Sequence, residues 1–179
     1  MPFSFFQHRT PEIKITDKIW ISETAKWKAC VQAYEQNKST LFIAWFQDTQ
    51  RRLQLHFSQN NKPEATVSLY RNVHPHMLSN QQLIFVEHYP LSKNEQDLFS
   101  SLKLKEVLVF SSLDESFFQY FGGEKLITIM QNIGMQQDEP VEHSMITRAL
   151  RNAQDKLNKK ILLEQSARSQ QEWLNKNIH

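Results

Sequence analysis

Apolar positions change their rhythm along this 179-residue chain. Up to about residue 111, short apolar runs alternate with stretches where apolar residues recur every three or four positions. Beyond that point only the longer period remains. The short runs at 18–22, 41–46, 66–70, 83–87 and 106–111 read as strands. The run at 41–46, LFIAWF, is unbroken, the pattern of a strand buried on both faces. Between the runs, 23–36 reads as a helix with Trp27, Cys30, Val31 and Tyr34 on one face. A helix over 48–59 places Leu53 and Phe57 one turn apart, with Asp48 as its expected cap. A third helix, 93–102, turns Leu98, Phe99 and Leu102 inward, and 74–80 reads as a loop or single turn. Strands alternating with helices predict an α/β domain with a mainly parallel sheet of four or five strands. Residues 1–16 lack a period, carry Pro2 and Pro11, and read as an irregular arm.

From 112 onward the chain reads as helical. Ser112-Leu-Asp-Glu115 has capping-box form. Phe117, Phe118 and Phe121 form an aromatic stripe of the kind a core takes. Gly122-Gly123 is read as ending that helix. Leu126, Met130 and Ile133 face inward on the next, Gly134 stops it, and Pro140 suits the first turn of a new one. The last helix is predicted to run from about 142 to 175, with the seam Ile146, Leu150, Ala153, Leu157 and Ile161. Arg151–Asp155, Lys160–Glu164 and Arg168–Glu172 are spaced as pairs one turn apart. Trp173 is unusual on so polar a stretch: it either packs back on the domain or anchors a partner. Arg148 and Arg151 join it as candidate partner-binding residues. The domain reading is an arm (1–16), an α/β domain (17–135) and a long helix (136–179).

Composition removes several functions. A net charge of +2 and a pI near 8.6 fall short of a nucleic-acid footprint. Cys30 is the one cysteine, so no internal disulfide is expected. The three glycines lie at 122, 123 and 134, and no glycine precedes them. A glycine-rich loop cradling phosphate is therefore absent from the whole strand-bearing part, and no cofactor is expected. MPFSFFQHRT lacks the form of a secretory signal. No apolar run approaches a membrane span. A soluble cytoplasmic protein is the expectation.

Candidate chemistry is sparse. His74-Pro75-His76, with His88 further on, could hint at a metal, but no further ligand follows at a telling spacing. Surface histidines are the simpler reading. Glu87-His88 falls at a strand's C-terminal end, where α/β sheets place ligands. Neighbours in a strand point to opposite faces, so the two would not share a site. Cys30 reads as a small buried hydrophobe. Residues 142–179 carry seven Lys/Arg against four Asp/Glu, a solvated helix rather than a nucleic-acid stripe.

One stretch stands out, from Leu113 to Lys160. It holds Gly134-Met135, the acidic Asp138-Glu139, Val141-Glu142-His143, and Ala153-Gln154. In that order these resemble the SecA preprotein translocase motor family, where its second motor domain meets its long scaffold helix. The resemblance implies a RecA-like three-layer domain followed by a helical segment with one long helix. It also implies that Gly134, Met135, Val141, Glu142, His143, Ala153 and Gln154 form the junction between them. The family's Gly-Arg-Gly-Thr-Asp motif has no counterpart here. Its arginine-rich finger segment would fall at 98–105, LFSSLKLK, which holds no Arg or Gly. A lysine is a poor replacement for such a finger. The resemblance therefore implies a degenerate, non-hydrolysing relative, with protein partners in the translocation machinery or a preprotein. A small-molecule-binding or hydrolytic α/β domain using the strand ends near Glu87 and Ser111 is the alternative. A helicase-like nucleic-acid module is the third reading.

Overall fold

The computed structural model describes residues 13–132 and 134–178. Five strands, β1 (Lys14–Trp20), β2 (Thr40–Ala44), β3 (Thr66–Leu69), β4 (Gln82–Phe85) and β5 (Glu106–Ser112), form one sheet in the order β1-β5-β4-β2-β3. Every pairing is parallel. The first strand begins at Lys14, four residues before the apolar signal. Its early residues gain a full register against β5, Lys14 opposite Glu106, so pairing outweighs their polarity. Thus 14–16 belong to the sheet rather than to an arm, and 1–12 lie outside the described residues.

Helices cover both faces of the sheet. On one lie α1 (Glu23–Gln36) and α2 (Gln47–Gln59); on the other lie α3 (Ser92–Ser101) and the C-terminal helices. β2 shows the logic, since all five of its residues are buried. Phe42 and Ala44 join a core with Trp27, Cys30, Tyr34, Leu53 and Phe57. Leu41 and Ile43 face the opposite core, with Phe85, Phe99, Val107 and Val109. Period-two alternation thus serves two cores at once. This is the RecA-like α/β layering.

The helical segment departs from its sequence reading at several points. After α4 (Ser116–Tyr120), α5 (Gly123–Asn132) starts at Gly123 rather than beyond it. A Cβ at Gly123 would come within 2.5 Å of the Leu113 carbonyl oxygen, so backbone approach dictates glycine. Phe121 and Leu126 are 41% and 37% exposed, whereas Phe117 and Phe118 are buried; Ile133 lies outside the described residues. Pro140 opens no helix. The next residue, Val141, exchanges backbone hydrogen bonds with Ile19 of β1 (3.1 and 2.8 Å), which holds the chain extended there.

The expected long helix is two helices. α6 spans Ser144–Lys160 and α7 spans Gln170–Asn177. The seam through α6 holds: Leu150 and Leu157 are buried, and Ile146, Ala153 and Ile161 pack against the core. The break after Lys160 has a physical cause in Trp173. Its indole is fully buried, and α7 must turn back to place it beside Tyr89. Glu164 in the connecting loop accepts hydrogen bonds from the Trp173 indole (2.6 Å), Asn94 (3.1 Å) and the Tyr89 hydroxyl. The expected one-turn pairs give way to other partners: Lys160 and Glu164 fall on either side of the break, and Arg151, within the unbroken α6, faces Glu95. Asp155 accepts from Ser92 (2.5 Å), and Glu172 pairs with Lys176 (2.7 Å).

Candidate functional site: the switch point of the sheet

Connections from β2 run one way along the sheet, to β3, and those from β4 run the other way, to β5. The crevice between the C-terminal ends of β2 and β4 is therefore the topological switch point, where α/β sheets bind ligands. A cavity of about 780 Å³ opens there, lined by residues that include Glu23, Lys26, Thr49, Arg52, Glu87 and Glu115.

Its floor is already occupied by the chain itself. Glu87 follows β4 and is 2% exposed. One of its oxygens accepts hydrogen bonds from the backbone N–H groups of Trp45 and Phe46 (2.9 and 3.0 Å). The other accepts from the Thr49 hydroxyl (2.6 Å). The turn between β2 and α2, where a parallel α/β sheet presents N–H groups to an anion, thus holds an internal carboxylate. The Asp48 N–H, two residues beyond Phe46, donates to the Arg168 carbonyl (3.0 Å). Asp48 itself lies in the first turn, and the capping residue is Phe46. Glu87 thus bonds the amides that lead into α2, and no side chain caps the helix as the sequence led one to expect of Asp48. Burial, reinforced by the nearby Glu115 charge, pushes the Glu87 carboxyl up to about 7.

Two buried ionic clusters flank this floor. Lys26 is fully buried on α1 and donates to Glu115 (2.6 Å) and to the Val86 carbonyl (2.9 Å). Glu115 also takes the Ser112 N–H (2.8 Å), the reach-back of the predicted capping box. The helix there begins at Ser116, with Glu115 rather than Ser112 as cap. Glu115's second task is to neutralise Lys26. Gln170 of α7 closes the same wall, donating to the His88 carbonyl (3.1 Å) and accepting from Phe117 N–H (3.1 Å).

On the opposite side of the sheet, His88 bridges Asp17 and Glu95, each at 2.9 Å. Burial alone would push this imidazole down. The Glu95 and Asp17 carboxylates reverse the effect and lift it to about 10. Asp17 behaves in a matching way: burial pushes it up, and the imidazolium holds it below its usual value. Arg151 sits 3.7 Å from the outer oxygen of Glu95, so two cations face two carboxylates. Glu87 and His88 therefore serve different sides of the sheet, as their adjacency implies.

The remaining candidates are placed as follows. Gly134 takes a left-handed φ of +84° after α5, and Met135 is half-buried beside it. Val141 is stapled to β1, and Glu142 pairs with Lys18 (3.0 Å). His143 caps α6 through Nδ1, which accepts from Met145 N–H (3.1 Å). Ala153 packs on the core, and buried Gln154 donates to the Tyr89 carbonyl (2.7 Å). Of the partner-binding candidates, Arg148 is exposed. Arg151 faces Glu95, and Trp173 is withdrawn into the core. His74 and His76 stack on each other at 5.6 Å, away from His88, whose ring nitrogens are both engaged. No cluster of three or more metal-ligating side chains occurs among the described residues. The Cys30 thiol is buried and pushed up to about 12, which leaves it unreactive.

Lys26, Asp17 and Glu95 were not singled out by sequence, yet each left a signal. Lys26 lies one turn before Cys30 on the apolar face of α1. Glu95 lies one turn before Phe99 on the inward face of α3. Asp17 shares one face of β1 with Ile15 and Ile19. A charge on a buried face is the informative exception to apolar patterning.

The fold places the chain in the class of doubly wound parallel α/β domains. No protein-family model matches it. Over 48 residues it is 44% identical to the protein translocase subunit SecA of Syntrophobacter fumaroxidans and to that of Legionella pneumophila. It is 38% identical over 48 residues to SecA 1 of Alkaliphilus metalliredigens. Each match takes in 27% of this chain and 5–6% of the relative's length. The chain thus carries a SecA-related region, on a scaffold whose fold that region's resemblance had implied.

Proposed function

We propose that this protein is a non-catalytic, SecA-related interaction module that serves protein translocation by binding a protein of that machinery. The observation that carries the non-catalytic half is the Glu87 carboxylate on the Trp45 and Phe46 amides. A phosphate entering there would meet a buried carboxyl group and amides already satisfied. The acidic balance of the surrounding wall further disfavours a polyanion: Glu23, Asp48, Glu87, Asp114 and Glu115 stand against Lys26, Arg51 and Arg52. That balance also speaks against the nucleic-acid reading. The interaction half is supported by the similarity to translocase subunits. It is tested by titrating the labelled chain with purified translocase motor and with its membrane-embedded partners. Saturable binding is expected; a flat titration against all of them would sink the proposal.

A second reading draws on the cavity itself. Its volume of about 780 Å³ suits a small ligand, and Glu87 near 7 is a group that could exchange a proton with one. Thermal shifts across a metabolite panel, lost in a variant carrying Leu55→Trp at the cavity's exposed wall, would favour it over the first.

A further inference from the structure

Two exposed apolar features lie at opposite ends of α6. In the loop after its C-terminal end, Leu162 and Leu163 are 96% and 87% exposed, the most solvated large apolar side chains among the described residues. Lys159 and Lys160, both exposed, immediately precede them. Before its N-terminal end lies a groove of about 640 Å³ lined by Met130, Met135, Val141, Met145 and Ile146, with Glu139 on its wall. Met145 is 69% exposed, and neighbouring Ile129 on α5 is 53% exposed. Exposed Asp138, next to Glu139 in the chain, adds negative charge there, whereas Glu142 is paired with Lys18.

A leucine knob with two lysines and a methionine-lined groove with an acidic rim are complementary in shape class and in charge. They cannot meet within one chain. The helix between them has 17 residues, about 25 Å at 1.5 Å per residue. The knob is also tied down at its own end by Glu164, through Tyr89, Asn94 and Trp173. We infer that the knob of one copy docks into the groove of a second copy, a head-to-tail contact between different surfaces. Such a contact leaves a free knob at one end and a free groove at the other, so assembly continues into a ring or an open chain. The inference does not depend on the proposed role in translocation.

The test is sedimentation of the full chain over a range of concentrations, with two variants at exposed positions. Leu162→Asp/Leu163→Asp removes the knob, and Met145→Glu closes the groove. The wild type should grow beyond the 21.2 kDa chain mass as concentration rises. Each variant alone should remain at that mass. Mixed, they retain one working knob and one working groove, and should form a species of twice the chain mass and nothing larger. A wild type that stays monomeric at every concentration overturns the inference. So does an assembled wild type whose variants fail to pair when mixed. Assembly that appears only after residues 1–12 are removed would also overturn it, by making the arm the groove's occupant. Binding of the monomeric chain to phosphatidylglycerol vesicles through Leu162 and Leu163 would do the same for the knob.

Discussion

Replacing His88 by Phe tests the buried charge cluster that ties β1, β4, α3 and α6 together. The ring volume is nearly kept, so the change is electrostatic. Asp17 and Glu95, with side chains 2% and 1% exposed, lose the cation each holds at 2.9 Å. Arg151 remains, but at 3.7 Å from the outer oxygen of Glu95 only. Stranding buried carboxylates in this way costs about 3–5 kcal/mol, a large part of the roughly 5–15 kcal/mol that holds a domain folded. With a urea m-value of about 2 kcal/mol/M, the midpoint should fall by roughly 2 M. The pH dependence is the sharper signature. The folded imidazole titrates near 10 and an unfolded one near 6.5. Below 6.5 both states hold the proton and the cluster's contribution is complete. As pH rises towards 10 the unfolded chain has released a proton that the folded chain keeps, so stability falls, by up to about 1.4 kcal/mol per unit. Urea melts between pH 7.5 and 8.5, below the range where the Cys30 thiol of the unfolded chain ionises, should therefore slope downward for the wild type and run nearly flat for His88→Phe. The variant should recover stability in acid, where its stranded carboxylates take up protons. A loss under about 1 kcal/mol, or an unchanged slope in the variant, would refute the reasoning.

Three further outcomes follow from the same structure. Trp173→Ala should cost about 3–5 kcal/mol and undock α7, since the indole is fully buried against Tyr89; thermal melts and near-ultraviolet dichroism report both. Glu87→Gln keeps an acceptor for the Trp45 and Phe46 amides. It should stay within about 1 kcal/mol of wild type at pH 8, whereas Glu87→Ala, which leaves those amides unpaired, should lose roughly 2–4 kcal/mol. Because Glu87 titrates near 7 when folded against an ordinary 4.5, the wild type should lose stability as pH rises between those values. Glu87→Gln should lack that loss in matched urea melts.

Much of the fold was legible because its cores obey simple periods. The unbroken run at 41–46 marked the central strand, and the spacing of Trp27, Cys30 and Tyr34 marked the buried face of α1. The break in the last helix was not legible. It depends on Trp173 finding a place beside Tyr89 and on Glu164 bonding Asn94, 70 positions earlier in the chain. Long-range contacts of that kind leave no local pattern. The candidate site was half legible. Glu87 was located by its place after a strand, but the carboxylate's task, satisfying amides that follow β2, becomes visible only when β2 and β4 are neighbours. Arg151 shows the same limit from the other side. On a helix drawn alone it is a surface cation, and against α3 it becomes the outer partner of Glu95.

At the centre of this account is a switch point filled by the chain's own carboxylate, and phosphate release from ATP·Mg²⁺ tests it most directly. Measured with the purified chain, alone and beside translocase components, release should stay at the level of the blank and of those components by themselves. Release that rises in proportion to the chain's concentration would contradict the account.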